Sequence, residues 1–151
     1  MYVFDTNSLQ QLFSYPQKRF PSLWKAFDEL LRAGKILSVK EVSKEIIKPE
    51  ALVEWCKVNS GLFPPATEDE GLFLQQIYKI EQFQVIGSRI LSSNSPFADP
   101  FIIAKAKCVE GTVVSEEKHK PDSARIPTIC KRFGINCTNL EGFMEAEGWQ
   151  F

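Results

Sequence analysis

The sequence has very few of the side chains that bind zinc. It contains a single histidine, His119, and none of its four cysteines forms a C-x-x-C pair. Structural zinc sites need closely set thiolate and imidazole ligands, so this class of site is excluded. We expect reduced, partly buried thiols at these positions. The four cysteines are Cys56, Cys108, Cys130 and Cys137.

Long apolar segments are also absent. No apolar run approaches the roughly 20 residues that a helix needs to cross a bilayer. The first charged residue is already Asp5, and no secretory leader is recognisable at the start of the sequence. We therefore expect a cytoplasmic protein that has no membrane partner.

The sequence has no excess of positive charge. Eighteen Lys and Arg residues stand against nineteen Asp and Glu residues, which gives a net charge of -1 and a pI of about 5.9. Proteins that are held on nucleic acid by charge alone are strongly basic, so that class is excluded. A partner that carries phosphate would have to be bound by a local group of basic residues or through a metal ion.

The order of apolar segments predicts one α/β domain over residues 1–151. At this length about 70% of the open chain's surface is buried on folding, which is enough for a substantial core. Short apolar strands alternate with amphipathic helices, an order typical of a parallel sheet covered on both faces. Gly111 is placed to end the helix before the third strand. The predicted strands are 2–4, 36–39, 112–115 and 135–137, and the predicted helices are 22–33, 41–47, 50–60, 68–91, 99–110, 126–133 and 140–147.

Acidic residues follow each of the first three predicted strands. Asp5 comes directly after the first strand, Glu41 and Glu45 follow the second, and Glu116 and Glu117 follow the third. Ligands of open parallel sheets bind at the carboxyl ends of the strands, so these acids are expected at one edge. Two carboxylates about 4 Å apart repel by roughly 4 kcal/mol at an effective dielectric constant of 20. A divalent cation would remove that repulsion.

Asp99 opens a predicted helix that leads into the third strand, and it reaches the same edge if that helix begins beside it. Ligand sets made only of oxygen are those that Mg²⁺ or Mn²⁺ prefers, and such sites support phosphodiester hydrolysis. Each acid also has a purely structural interpretation. Asp5 and Asp99 are good helix caps, and the glutamates fit a solvated helix face or a surface loop equally well.

Four short motifs, taken in order, resemble the PIN domain family of metal-dependent nucleases, and more narrowly a PIN-like subfamily of bacteria and archaea. The match extends from residue 2 to at least residue 118. It implies a three-layer α/β/α sandwich around a parallel sheet. The motifs are Asp5-Thr6-Asn7, Glu41-Val42-x-x-Glu45-Ile46, Ala98-Asp99-Pro100-x-Ile102-x-Ala104-x-Ala106 and Val113-Val114-Ser115-x-Glu117.

The resemblance also implies a pocket in which four acids hold one or two Mg²⁺ or Mn²⁺ ions and serve as the catalytic residues. The usual fourth motif of the family is Thr-x-Asp. In this sequence Ser115 and Glu117 replace both ends of that motif, which leaves Glu116 as a second candidate for the fourth acid. Asn7 matches a small polar position that orients the first acid or a bound water. The four acids are Asp5, Glu45, Asp99 and Glu117.

Family members typically cleave RNA endonucleolytically, and many small members are toxins that a cognate antitoxin neutralises. The resemblance therefore implies a metal-dependent ribonuclease, with RNA as substrate and with an antitoxin protein and a second copy of the chain as candidate partners. Lys40, Lys44 and Lys118 lie beside the acids in sequence. We expect them to contact RNA phosphates, with a solvated surface as the alternative.

The main alternative function is a PIN-like binding module without catalysis, acting through a protein or RNA partner. The altered fourth motif and the near-neutral charge motivate it. An aspartyl phosphatase is disfavoured, because Asn7 cannot act as the second, proton-donating acid. His119 is not expected to act as a general acid, since metal-assisted hydrolysis needs no imidazole.

Overall fold

The computed structural model describes residues 1–84 and 97–151. No helix within these ranges is long and apolar enough to cross a membrane. Two 3₁₀ turns, Ser60–Leu62 and Glu81–Phe83, lie among the described residues. The strands are β1 (Tyr2–Phe4), β2 (Ile36–Leu37), β3 (Thr112–Val114) and β4 (Cys137–Thr138). The α-helices are α1 (Thr6–Phe13), α2 (Pro21–Arg32), α3 (Lys40–Glu45), α4 (Glu50–Val58), α5 (Glu68–Tyr78), α6 (Asp99–Val109), α7 (Ile126–Phe133) and α8 (Leu140–Ala146).

The four strands form one parallel sheet in the order β2-β1-β3-β4. Val3 of β1 lies opposite Leu37 on one side and Val113 on the other. Val3 and Val113 are completely buried, as expected for strands that are covered on both faces. The predicted α/β class and the three-layer α/β/α sandwich are confirmed. Because all strands run in the same direction, their carboxyl ends lie at one edge of the sheet.

Three aromatic rings fix the end of β1 in the core. The ring centroid of Phe4 lies 5.6 Å from that of Phe27 on α2 and 5.1 Å from that of Phe143 on α8, edge to face. All three side chains are completely buried. Edge-to-face pairs of this kind add about 0.5–1.5 kcal/mol to the gain from burial alone. The packing of these rings therefore fixes the position of Asp5, the next residue along the chain.

A buried ion pair joins α5 to α6. Lys105 Nζ lies 2.6 Å from Glu70 Oε1, and the two side chains are 9% and 2% exposed. Glu70 also completes a capping box, in which its carboxylate accepts from Thr67 N and its own amide donates to Thr67 Oγ1. A buried carboxylate that loses its partner is strongly destabilising, so the pair favours a single packing of the two helices. That packing sets where α6 begins, at Asp99.

The prediction of one helix over residues 68–91 is wrong in its described part. Helix α5 ends at Tyr78, and Ile80 is extended (φ -85°, ψ 117°) before the second 3₁₀ turn. Phe83 in that turn is 1% exposed. The apolar spacing of these residues predicts one continuous helix, but Phe83 reaches the core through a turn of the chain instead. The remainder of the predicted helix and the predicted loop over 92–96 extend into residues 85–96, which lie outside the described ranges.

Gly111 is required for a close backbone approach. Helix α6 ends before Gly111 as predicted, but the residue that takes the left-handed conformation there is Glu110 (φ 52°). A Cβ atom on Gly111 would lie 3.0 Å from the carbonyl oxygen of Met1. The amide of Thr112 donates to the same oxygen at 2.9 Å. Glycine at this position therefore allows the start of β3 to lie against the start of β1.

Candidate carboxylate site

Asp5 lies at the carboxyl end of β1 and caps α1. Its Oδ1 accepts a hydrogen bond from the amide of Ser8 at 2.7 Å, and its carboxylate also accepts from the hydroxyl of Ser115, the residue after β3. The side chain is only 3% exposed. The cap expected from the sequence is present, and the same carboxylate faces the end of the neighbouring strand.

Burial raises the pKa of Asp5 from 3.8 to about 6. The hydrogen bonds from Ser115 and Ser8 lower the pKa, and the nearby charge of Glu117 raises it. The loss of solvation outweighs the hydrogen bonds, so the ionised carboxylate is held in an unfavourable environment. Positive charge placed beside Asp5 would favour its ionised form.

Glu117 is the acid of the fourth motif that lies near Asp5. Its backbone amide donates to Ser115 Oγ at 3.2 Å, so Asp5 and Glu117 share the same serine hydroxyl. One carboxylate oxygen, Oε2, accepts from the amide of Ile126 at 2.9 Å. Because this amide opens α7, Glu117 is held between the end of β3 and a helix amino terminus. Its side chain is half-buried.

Glu116, the second candidate for the fourth acid, is directed elsewhere. Its Oε1 accepts from the amide of Leu140, the first residue of α8, at 2.8 Å. Ser115 and Glu117 thus lie near Asp5, whereas Glu116 is bonded to the start of α8. The geometry therefore favours Glu117 as the partner of Asp5.

Glu45 joins three parts of the chain at the same edge of the sheet. Its Oε2 accepts from the hydroxyl of Thr6, directly after Asp5. Its Oε1 accepts from the amide of Ala98 at 2.8 Å. Asp99, the next residue, opens α6 and is half-buried. Glu45 thus connects the end of α3 with the starts of α1 and α6.

The contacts of the four acids of the motifs form two sets. Asp5 is close to Glu117, and Glu45 bonds the residues next to Asp5 and Asp99. Over residues 1–84 and 97–151, no three Asp, Glu, His or Cys side chains form a group that could hold a metal ion. The predicted four-acid metal site therefore stays a prediction.

Two residues that were given no role from the sequence, Ser8 and Thr6, hold the first two acids in place. Ser8 is completely buried, and its hydroxyl lies 3.0 Å from the carbonyl oxygen of Asp5 and 2.8 Å from that of Val114. Thr6 holds Glu45, as described above. Asn7, which was expected to orient the first acid or a bound water, is exposed, and the hydrogen bonds to Asp5 come from Ser8 and Ser115. The spacing Asp-x-x-Ser is typical of a helix cap and could have identified Ser8.

Glu41 has one buried carboxylate oxygen that accepts no hydrogen bond from the described residues. It lies in the first turn of α3, after the end of β2, and its Oε2 is buried without a hydrogen-bond partner among the described residues. Buried polar atoms are rarely left without a partner, and an ion or a water is a common explanation. Glu41 thus has an unsatisfied carboxylate oxygen in the helix that follows β2.

The three lysines expected to contact RNA are exposed. Lys40 begins α3 at the end of β2, Lys44 lies one turn later, and Lys118 directly follows Glu117. His119 is exposed as well. These side chains are thus accessible to a large ligand, and each lies within a few residues of Glu45 or Glu117 along the chain.

Comparison with known proteins shows the family of the chain. The profile of the family described as Domain of unknown function (DUF4411) matches residues 2–151, so the chain belongs to that family. No curated protein and no solved structure matches the chain significantly.

Proposed function

We propose that the protein is a Mg²⁺- or Mn²⁺-dependent endoribonuclease that hydrolyses RNA phosphodiester bonds at the carboxylate edge of its sheet. The observation that carries the proposal is the burial of the Asp5 carboxylate beside Glu117, at the ends of two adjacent parallel strands. The resemblance of four motifs to the PIN domain family supports it. That resemblance extends the proposal to a toxin that an antitoxin neutralises and to a homodimer.

The donor set fits a hard divalent cation. It consists of the carboxylates of Asp5 and Glu117, two like charges that lie close together. Mg²⁺ is usually bound through only one or two protein carboxylates, with water and substrate phosphate completing the shell. Asp5 and Glu117 would hold the ion, and Glu45 and Asp99 would provide the further carboxylates of the motifs.

The residues of the chain have separate roles in this proposal. A bound divalent cation neutralises charge on the phosphate and makes water a better nucleophile. Ser8 and Ser115 fix the direction of the Asp5 carboxylate, and Glu45 fixes the start of α6 through the amide of Ala98. The exposed lysines on either side bind phosphates of the RNA backbone without reading its sequence.

The proposal is tested by RNA cleavage with purified protein. We expect a single-stranded RNA to be cut in Mg²⁺ or Mn²⁺, no cleavage in EDTA, and loss of activity in Asp5→Asn and Asp99→Asn. Asp69→Asn is the matched control, because Asp69 is an exposed carboxylate in the first turn of α5, and it should retain activity. Cleavage by Asp5→Asn at the unmodified rate would show a contaminating nuclease or a different active site.

A binding module without catalysis is the second candidate function. The observation that favours it is that Glu45, Glu116 and Glu117 each accept a hydrogen bond from a backbone amide, which is a structural use of a carboxylate. In this case millimolar Mn²⁺ would leave the melting temperature unchanged, since only a ligand that binds the folded state raises stability. A Mn²⁺-dependent rise together with cleavage would exclude this candidate.

A further inference from the structure

A continuous groove runs along α8, on the side of the molecule that Glu116 faces. One cavity of about 350 Å³ is lined by Tyr15, Phe20, Trp149 and Phe151 among others. A second cavity of about 360 Å³ extends toward Glu116. The two cavities share three lining residues, so they form one elongated groove, here called the α8 groove. The shared residues are Tyr15, Glu141 and Met144.

The α8 groove combines negative charge with aromatic faces. Glu141 and Glu145 lie one helical turn apart on α8, both are exposed, and neither carboxylate bonds another described residue. Like charges at this spacing repel each other on a helix surface. The rings of Tyr15 and Phe20, which both line the groove, lie 5.2 Å apart. Aromatic faces next to carboxylates attract guanidinium and ammonium groups.

The walls of the α8 groove are fixed by hydrogen bonds. Trp24 Nε1 donates to the carbonyl oxygen of Tyr15 at 2.6 Å. The amide of Trp149 donates to the carbonyl oxygen of Met144 at 2.9 Å, and the Trp149 ring packs on Phe143 at 5.1 Å. A preformed site of this kind loses little conformational entropy when a ligand binds.

We propose that the α8 groove binds a basic segment of a partner protein, with arginine or lysine side chains at the glutamates and apolar side chains between them. RNA is disfavoured because three carboxylates line the groove and no Lys, Arg or His side chain does. A small cation would occupy only part of the groove, and the apolar side chains of Leu23 and Met144 provide no charged or oxygen ligand for it. Extended peptides place successive side chains into such continuous pockets. This proposal does not depend on the proposed ribonuclease activity.

The experiment measures fluorescence anisotropy of a labelled peptide in which arginine alternates with leucine, in EDTA and without RNA. We expect saturable binding that weakens by about tenfold in Glu141→Gln/Glu145→Gln, which corresponds to about 1.4 kcal/mol. The control Glu68→Gln/Asp69→Asn removes two exposed carboxylates from α5 and should bind as the unmodified protein does. Phe151→Ala, at a residue that is 61% exposed, should also weaken binding while leaving the melting temperature unchanged.

Two comparison ligands separate the alternatives. A peptide with serine in place of leucine should bind at least about tenfold more weakly, and spermine should compete poorly. Equal weakening by both double variants would show an effect of net charge alone and would overturn the proposal. Equal binding of the serine peptide, or full competition by spermine at the same concentration, would overturn it in favour of a small-cation site. Since no cleavage is measured, the result is independent of the ribonuclease test.

Discussion

Replacing Asp5 with asparagine should stabilise the metal-free protein at neutral pH while it abolishes activity. Asparagine caps a helix about as well as aspartate does, so the amide oxygen can keep the hydrogen bond from Ser8 N. What the substitution removes is the charge, which is held at a site only 3% exposed and close to Glu117. The gain in stability tests the buried charge, and the loss of activity tests the proposed catalytic role.

The magnitude follows from the pKa of Asp5, which burial raises from 3.8 to about 6. The folded state binds the proton more tightly than the unfolded state, so the stabilisation is fully present below about pH 4 and is lost as the pH rises to about 6. A shift of about two units corresponds to roughly 3 kcal/mol of stability. For a chain of this size, that is a difference of roughly 6–12 °C in melting temperature.

The assay compares urea unfolding of the unmodified protein and of Asp5→Asn at pH 4.5 and pH 7.5, both in EDTA. Groups remote from Asp5 titrate equally in both proteins, so the change with pH of the difference between them reports on Asp5 and its immediate surroundings. We expect the variant to gain about 2 kcal/mol relative to the unmodified protein between these two pH values, since part of the full effect is already lost at pH 4.5. A difference that does not change with pH, or that changes in the opposite direction, would refute the reasoning that burial dominates at this carboxylate.

Three further predictions concern the site and the frame that supports it. Mn²⁺ at one hundred times its dissociation constant should add about 2.7 kcal/mol to the free energy of unfolding and so raise the melting temperature. This rise should disappear in Asp5→Asn. An equal rise in both proteins would show that the ion binds elsewhere. Lys105→Met should destabilise by about 3–5 kcal/mol by leaving Glu70 buried without its partner, and Lys105→Met/Glu70→Gln should recover most of the loss; equal chemical denaturation midpoints for the single and double variants would contradict this. Gly111→Ala should cost about 1–3 kcal/mol in a thermal melt, because its Cβ would lie 3.0 Å from the oxygen of Met1; an unchanged melt would show that the two strand starts separate freely.

The sequence was sufficient to predict the sheet because its signals are local. A run such as Tyr2-Val3-Phe4 followed by Asp5 is both a buried strand and a helix cap, and both interpretations are confirmed. The helix that starts at Glu68 was predicted too long, because Phe83 has the spacing of a helical residue and reaches the core through a turn instead. The spacing of apolar residues indicates which residues are buried. It does not show whether a continuous helix or a helix followed by a turn buries them.

The partners of the acids could not be predicted from sequence, since they depend on where β3 ends. The strand was predicted to include Ser115, whereas it ends at Val114. Ser115 then turns toward Asp5, and the next two residues separate, with Glu116 bonding the start of α8 and Glu117 the start of α7. The resemblance to the fourth motif favoured Glu117 over Glu116, but the helix amides that the two carboxylates accept from could not be read from the sequence.

The cap and site interpretations of Asp5 make different demands on its charge. A helix cap needs an acceptor oxygen, and serine or asparagine supplies one without burying an ionised group. Aspartate at a position 3% exposed, beside a second carboxylate, carries a penalty of roughly 3 kcal/mol at neutral pH. Binding sites commonly keep groups that reduce the stability of the empty protein, because the ligand compensates for them. The unfavourable charge of Asp5 is therefore the strongest physical argument that a cation, and not the helix alone, accounts for an aspartate at this position.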